Sequence, residues 1–386
     1  MLYYNLFMDF SRKLPIGIQD FEVLRKNEYL YVDKTSYIYQ LVQEGKPYFL
    51  SRPRRFGKSL FLSTLEAYFW GKKELFKGLE IEKYEKEWIE YPVIKISFEG
   101  NEYETTEKLL QKIDSILNKY EKKFEIENNN QNYAIRFSTL IRSIYEKTEK
   151  QVVILIDEYD KPIQDAIFTE YEEKNSAVLR AFYSPLKDSD KYIHFTFITG
   201  LTKLSHLNCS ELNHLDNISM SKSFSSICGV SETELKEYFM PEIEDLAKEQ
   251  EMTVEEALSK LAAMYGGYHF TYNVEGVYNP FGLLKCFNDK QFYSYWFEKC
   301  TPSLLLKVLQ KQPHDLSGFV NGLKVTELSF KEYDSESKNI LPLLYQSGYL
   351  TIKGFDKEDR LFMLNTPNNE VEKALTPSIS HRFTLH

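Results

Sequence analysis

The sequence predicts an α/β protein: a three-layer α/β/α core around a parallel sheet, followed by a mainly helical part. Three observations predict it. Short apolar strands alternate with helical stretches between residues 47 and 200, the pattern of strands joined by helical crossovers. The run Val152-Val-Ile-Leu-Ile156 is apolar without interruption, as a strand buried on both faces must be. Tyr48–Ser51 runs through a short basic turn, Arg52-Pro-Arg-Arg-Phe-Gly57, into a helix opening at Lys58. That strand–turn–helix unit belongs to a parallel sheet whose ligands sit at the carboxyl ends of its strands.

The elements follow in order. Residues 1–13 are apolar at first but contain Asp9 and no basic n-region, so a disordered extension is expected there rather than a signal peptide. Leu14-Pro-Ile-Gly-Ile-Gln-Asp-Phe21 is a short opening segment. Tyr31-Val-Asp-Lys-Thr35 then starts a helix to about Glu44, with Asp33 as N-cap. A helix from about Lys58 to Trp70 is followed by a strand, 93–98, a polar helix, 104–124, an Asn-rich loop, 128–132, and a helix, 134–149. After 152–156, residues 160–188 read as helix in two pieces and His194–Gly200 as the next strand. A weak fifth strand is expected at Asn217–Met220. These elements make a core over 14–228.

From about 229 the pattern changes. Ser231-Glu-Thr-Glu234 is a capping box for one helix, and Thr253–Met264 is a second. Residues 266–270 and 276–278 suggest a hairpin. Leu341–Gln346, 348–352 and 360–364 read as helix, strand, turn, strand, a winged-helix-like end. Lys353, Lys357 and Arg360 stand there among acidic residues, which favours a structural wing over a DNA-contacting one. Residues 229–370 are expected to form a lid and 371–386 a tail.

Composition narrows the function. A net charge of −9 and a pI near 5.5 exclude a generally basic nucleic-acid binder. The four cysteines form no Cys-x-x-Cys pair, which fits reduced thiols in a cytoplasmic protein. His206, Cys209 and His214 match no zinc spacing. No apolar run reaches about 18 residues, so no membrane span is expected.

The chemistry concentrates in two places. In Arg54-Arg-Phe-Gly-Lys-Ser-Leu60, turn N–H groups and the positive end of the helix dipole converge on one point. Gly57 lets the backbone approach a phosphate, Lys58 reaches the β- and γ-phosphates, and the Ser59 hydroxyl holds Mg²⁺. The full signature has Gly six residues before the lysine, and here Arg52 stands there. The second place is Asp157-Glu158, closing the apolar strand. Asp157 is the expected Mg²⁺ acid, and Glu158 the carboxylate that polarises the attacking water. Thr199, ending the fourth strand, is either a γ-phosphate sensor or a strand-end threonine bonding its own backbone. Together these residues point to nucleotide triphosphate binding, with the strand at 93–98 intervening between the two places.

Leu14–Phe21, Tyr31–Thr35, Ser51-Arg-Pro-Arg-Arg-Phe-Gly-Lys-Ser59, Ile156-Asp-Glu-Tyr-Asp-Lys-Pro162 and Tyr278-Asn-Pro-Phe281 together resemble the bacterial AAA-ATPase-like family. The resemblance spans roughly 14–370. It implies ATP with Mg²⁺, makes Arg52 the normal variant, and assigns phosphate and metal to Lys58 and Ser59 and the acidic pair to Asp157 and Glu158. Asp160 lies in the same string, as a family residue or as N-cap of the helix before Pro162. Members often carry a C-terminal PD-(D/E)XK nuclease. No Glu-x-Lys follows Gly354, so that domain is expected to be absent or truncated.

No arginine occurs between Arg180 and Arg360, where ring-forming relatives place their fingers. Either Arg54 or Arg55 then acts in cis, or hydrolysis is slow. The expected function is an Mg²⁺-dependent ATPase that couples nucleotide state to lid movement. The alternative is a slow or non-hydrolysing nucleotide-gated switch that docks a protein or DNA-linked partner through the lid.

Overall fold

The longest wholly buried strand is β3 (Val152–Asp157), which holds an inner place in a five-stranded parallel sheet. Its neighbours are β2 (Val93–Ser97) and β4 (Ile193–Gly200). β4 pairs with β1 (Tyr48–Ser51), and β1 with the two-residue β5 (Asp216–Asn217), giving the order β2-β3-β4-β1-β5. The structure, a computed structural model, describes residues 12–128, 130–203, 212–296, 303–311, 322–334, 337 and 339–375. His206, Cys209, residues 1–11 and residues 376–386 lie outside these.

The strand expected to intervene, 93–98, does so in sequence only. In space it is the sheet edge, and β4 stands between β1 and β3. Side chains explain the placement. Lys95, in the middle of β2, is partly exposed and pairs with Glu66 at 2.7 Å, which suits an edge. β4 is buried from Phe195 onward.

Two helical groups flank the sheet. α3 (Lys58–Phe69) packs on β2 and β3, with α1 (Phe21–Lys26) against it. α5 (Tyr133–Thr148) packs on β3, joined by α4 (Thr106–Lys123) and α7 (Glu172–Tyr183). The stretch 160–188 divides into α6 (Lys161–Ala166), α7 and α8 (Pro185–Asp188). α2 (Thr35–Glu44) starts beside Asp33, whose carboxylate accepts the Thr35 N–H at 2.8 Å.

Residues 229–370 divide between two cores. α9 (Glu232–Glu249) starts at the capping box, both of whose hydrogen bonds are made. It packs with α10 (Val254–Tyr265) and α11 (Pro280–Asp289) around Leu235, Phe239, Ile243, Leu261 and Phe287. β6 (Val230–Ser231) pairs with β7 (Val277–Tyr278). The expected hairpin therefore shrinks to one bridge, Tyr268 to Val277.

The last part runs helix Ser303–Lys311, β8 (Leu323–Val325), helices Leu328–Lys331 and Leu341–Gln346, β9 (Thr351–Asp356) and β10 (Leu361–Asn365). With the antiparallel order β8-β10-β9, this is a winged-helix arrangement. Its core residues Phe330, Leu343, Leu344 and Phe362 are continuous with those under the main sheet. Residues 342–350 are all buried, so the helix that would enter a DNA groove faces the protein. Gln346 shows why: its Oε1 accepts the Lys203 N–H at 3.0 Å and its amide donates to Lys331 O at 2.6 Å.

Candidate nucleotide-binding site

The turn between β1 and α3 is built by two left-handed residues, Arg55 (φ 66°) and Gly57 (φ 97°). A side chain at Gly57 would be strained in that backbone, and the bare Cα leaves the turn open to a ligand. The backbone N–H groups from Arg54 to Leu60 donate to no protein group among the described residues. The carbonyls of the same turn are occupied. Lys58 Nζ donates to Arg52 O (2.9 Å) and Pro53 O (3.2 Å), Trp296 Nε1 to Arg54 O (3.2 Å), and Gly229 N to Phe56 O (3.0 Å). Carbonyls held outward and N–H groups left over make an anion cradle at a helix start.

The cradle opens into a cavity of about 370 Å³. Arg54, Arg55, Phe56, Gly57, Lys58, Ser59 and Leu60 line it, with Glu158, Glu99 and Lys161 near them. Apolar residues also line it, among them Pro15, Ile18, Val32, Val230, Phe281 and Leu284. A largely apolar lining with a few convergent polar groups is the pattern of a cofactor-sized site.

Not every expected residue faces this space in the same way. Phe56 contributes backbone, because its ring turns away to stack edge-on against Tyr268 and Phe270 at 4.9 and 5.7 Å. Arg55 is exposed over the Phe281 ring at 5.4 Å. Asp157 is outside the cavity lining, and the nearby Ser59 hydroxyl favours its charged form. Glu158 is half-buried and left-handed (φ 54°), its N–H bonded to Asp157 Oδ1 at 3.1 Å. Thr199 is wholly buried beside Leu50 in the β4–β1 pairing and is outside the lining. Its hydroxyl finds no partner among the described residues, so it does not bond its own backbone.

Asp160 departs from the N-cap expectation. It holds the N-cap position of α6 but makes no side-chain cap. Its carboxylate instead accepts from Leu201 N (3.3 Å), Thr202 N and Thr202 Oγ1 (both 2.7 Å), and Gln164 Nε2 (2.5 Å). The turn after β3 is thereby tied to the end of β4. Gly200 permits it, since a Cβ there would sit 2.4 Å from Asp160 Oδ1.

Arg52 also has a structural task. It is 1% exposed, and its guanidinium donates to Ser51 O (2.9 Å), Ser219 O (2.7 Å) and Phe224 O (3.0 Å) while lying 4.1 Å over the Phe270 ring. Burial lowers its pKa to about 10. Arg52→Gly, which restores the common glycine, is therefore expected to destabilise the fold by at least about 3 kcal/mol by orphaning buried carbonyls. Urea unfolding checks this, and an unchanged midpoint would contradict it.

The acidic pair has a distinct electrostatic signature. Burial pushes the Asp157 carboxyl up to about 6, against the opposing pull of the Ser59 hydroxyl, with the Glu158 charge adding to the rise. A buried acid beside a second carboxylate fits a missing counter-cation. Ser59 and Asp157 are the residues that would hold a magnesium ion. One or two protein ligands suffice where phosphates and water supply the rest. Among the described residues, no group of three or more His, Cys, Asp or Glu could hold a metal by itself.

The sign of the Asp157 shift gives a test. A raised acid pKa penalises the folded state above about pH 6, and the penalty disappears below the unfolded value near 4. At about 1.36 kcal/mol per unit, Asp157→Asn should stabilise the nucleotide-free protein by about 3 kcal/mol at pH 7.5 and by almost nothing near pH 3. Denaturant titrations at both pH values check it. A pH-independent effect would contradict it.

Sequence reasoning left the apolar walls of the cavity without assigned residues. Leu14–Phe21, Tyr31–Thr35 and Tyr278–Phe281 carried a family resemblance but no role. Pro15, Ile18, Val32 and Phe281 are wall residues drawn from those strings. Glu99 and Lys161 were missed too, although one follows a strand end and the other lies in the Asp157–Pro162 string.

Comparisons with known proteins agree on the family. A family model described as predicted AAA-ATPase, AAA-ATPase-like, matches residues 15–210. The "Uncharacterized protein in vnfD 5'region" of Azotobacter chroococcum mcd 1 is 36% identical over 378 residues, covering 96% of this chain and 70% of that protein. Among solved structures, the Aeropyrum pernix ORC2 protein in ADPNP–ADP complexes aligns with a TM-score of 0.35 and 8% identity, over 97% of this chain and 96% of that one. Drosophila ORC bound to AT-rich DNA and Cdc6 aligns at 0.25 and 10%, over 92% of each. These two likenesses are too distant to carry an argument. The family match and the relative do carry one: the chain belongs to the predicted AAA-ATPase-like family.

Proposed function

We propose that the chain binds ATP with Mg²⁺ in this cavity and hydrolyses its β–γ phosphoanhydride. The observation that carries the reading is the row of unpartnered N–H groups from Arg54 to Leu60, in one cavity with Lys58, Ser59 and Glu158. The triphosphate lies on the cradle and exchanges with the carbonyls that now hold Lys58. The base lies against the apolar walls, between Pro15–Val32 and Phe281–Leu284. A magnesium ion on Ser59 and Asp157 supplies charge neutralisation to the phosphates when bound. Glu158 orients a water and takes its proton. The water oxygen bonds to the γ-phosphorus while the bond from phosphorus to the bridging oxygen breaks, and ADP leaves with that electron pair. The orphan hydroxyl of Thr199 serves as the γ-phosphate sensor, reaching the ligand as the turn rearranges.

Lid movement follows from the two tethers on the turn. Gly229 and Trp296 hold the carbonyls of Phe56 and Arg54, so a turn reshaped by nucleotide moves α9–α11, which have a core of their own. The slow-switch reading keeps one specific support, the absence of arginine between Arg180 and Arg360. Among the described residues no helix is long and apolar enough to cross a membrane. The test measures labelled-ATP binding and phosphate release with and without Mg²⁺. Magnesium-dependent binding and turnover support the ATPase, binding without turnover supports the switch, and no binding sinks both.

A further inference from the structure

The cavity contains a cation that neither the phosphate-loop signature nor the search for an arginine finger assigns. Lys161 opens α6 three residues after Glu158 and lines the cavity together with Glu158, Lys58 and Ser59. Its N–H donates to Glu158 O at 3.0 Å, so the two residues share one turn. Its ammonium rests on Asp165 Oδ2, one helical turn along.

The other cations of this region have prior tasks. Arg52 is spent on three backbone carbonyls behind the turn. Lys34 is buried against Glu234 (2.5 and 2.7 Å) and Ser226 O (2.7 Å). Lys58 belongs to the cradle itself. Arg55 is drawn over the Phe281 ring. Arg54 lines the cavity as well, and Lys161 is the lining cation whose own turn carries Glu158.

We propose that Lys161 is a catalytic residue: on nucleotide binding its ammonium leaves Asp165 and touches the γ-phosphoryl oxygens, serving within one chain the role that an arginine finger serves between chains. The proposal rests on the ATPase reading above. Phosphoryl transfer spreads charge over the γ-oxygens, and a cation placed there lowers the barrier without any proton transfer of its own.

The resting contact is built to release the lysine cheaply. Asp165 Oδ2 also accepts the Tyr103 N–H at 3.1 Å, and the Lys307 ammonium sits on the Asp165 carbonyl. When Lys161 swings away, the carboxylate keeps a donor and a nearby positive charge. A purely structural ion pair is the competing account, in which Lys161 and Asp165 do nothing but hold α6.

Four proteins separate the two: wild type, Lys161→Met, Lys161→Arg and Asp165→Asn. Losing the ion pair should lower the unfolding midpoint of Lys161→Met and Asp165→Asn alike. Only Lys161→Met should lose turnover, with kcat down about 10²- to 10³-fold. Its ATP affinity should change by less than about fivefold, the mark of an interaction made mainly in the transition state. Lys161→Arg should recover most of the rate. ADP with aluminium fluoride should bind tightly to wild type and weakly to Lys161→Met. Turnover in Lys161→Met equal to wild type, or equal losses in Lys161→Met and Asp165→Asn, would overturn the proposal alone. If wild type itself releases no phosphate, the ATPase reading falls first and this proposal with it.

Discussion

Glu158→Gln should release phosphate about 10²- to 10⁴-fold more slowly than wild type while still binding ATP. The substitution keeps the shape of the side chain and removes the base. It also removes one of the charges that raise the Asp157 carboxyl, so magnesium dependence should persist or strengthen. The left-handed backbone at Glu158 is set by its neighbours and is no harder for glutamine than for glutamate. Single-turnover phosphate release, paired with equilibrium binding of a fluorescent ATP analogue, reads the two effects separately. Equal rates in the two proteins would remove Glu158 from the chemistry and leave the slow-switch reading standing.

Lys58→Ala should weaken ATP binding by about 30- to 5,000-fold, the usual cost of about 2–5 kcal/mol for truncating one partner of a buried charged contact. Lys58 is 5% exposed, and its ammonium donates to the carbonyls of Arg52 and Pro53. Those bonds are ones a triphosphate can outbid. The variant leaves the two carbonyls without their donor, so its folding must be measured alongside. Lys58→Met, which fills the same channel, should bind ATP as poorly while unfolding closer to wild type. Undiminished affinity in both variants would disconnect the turn from the nucleotide.

The sheet was legible because its strands are apolar runs ending in chemistry-bearing residues. Val152–Asp157 and Tyr48–Ser51 could be placed to within a residue for that reason. Strand order was less legible: nothing in the string 93–98 says that it is an edge, apart from Lys95, whose meaning depends on Glu66 in another element. The cap reading of Asp160 fails for a similar reason. Local grammar marks an Asp before Lys-Pro as a cap, while its real partners, Leu201 and Thr202, lie forty residues on. The turn that lines the cavity, Arg54–Leu60, is contiguous in sequence and so was readable. The apolar walls are assembled from three distant strings, and no spacing rule joins them.

The fastening of Arg54 and Phe56 by Trp296 and Gly229 has a mechanical corollary. A loop pinned at two carbonyls by separate neighbours has little slack. Opening it to admit a ligand must either snap a pin or drag along whatever the pin is driven into. On the proposed coupling, pocket occupancy and the posture of distant helices become one measurement, and a spectroscopic label on either is expected to report both.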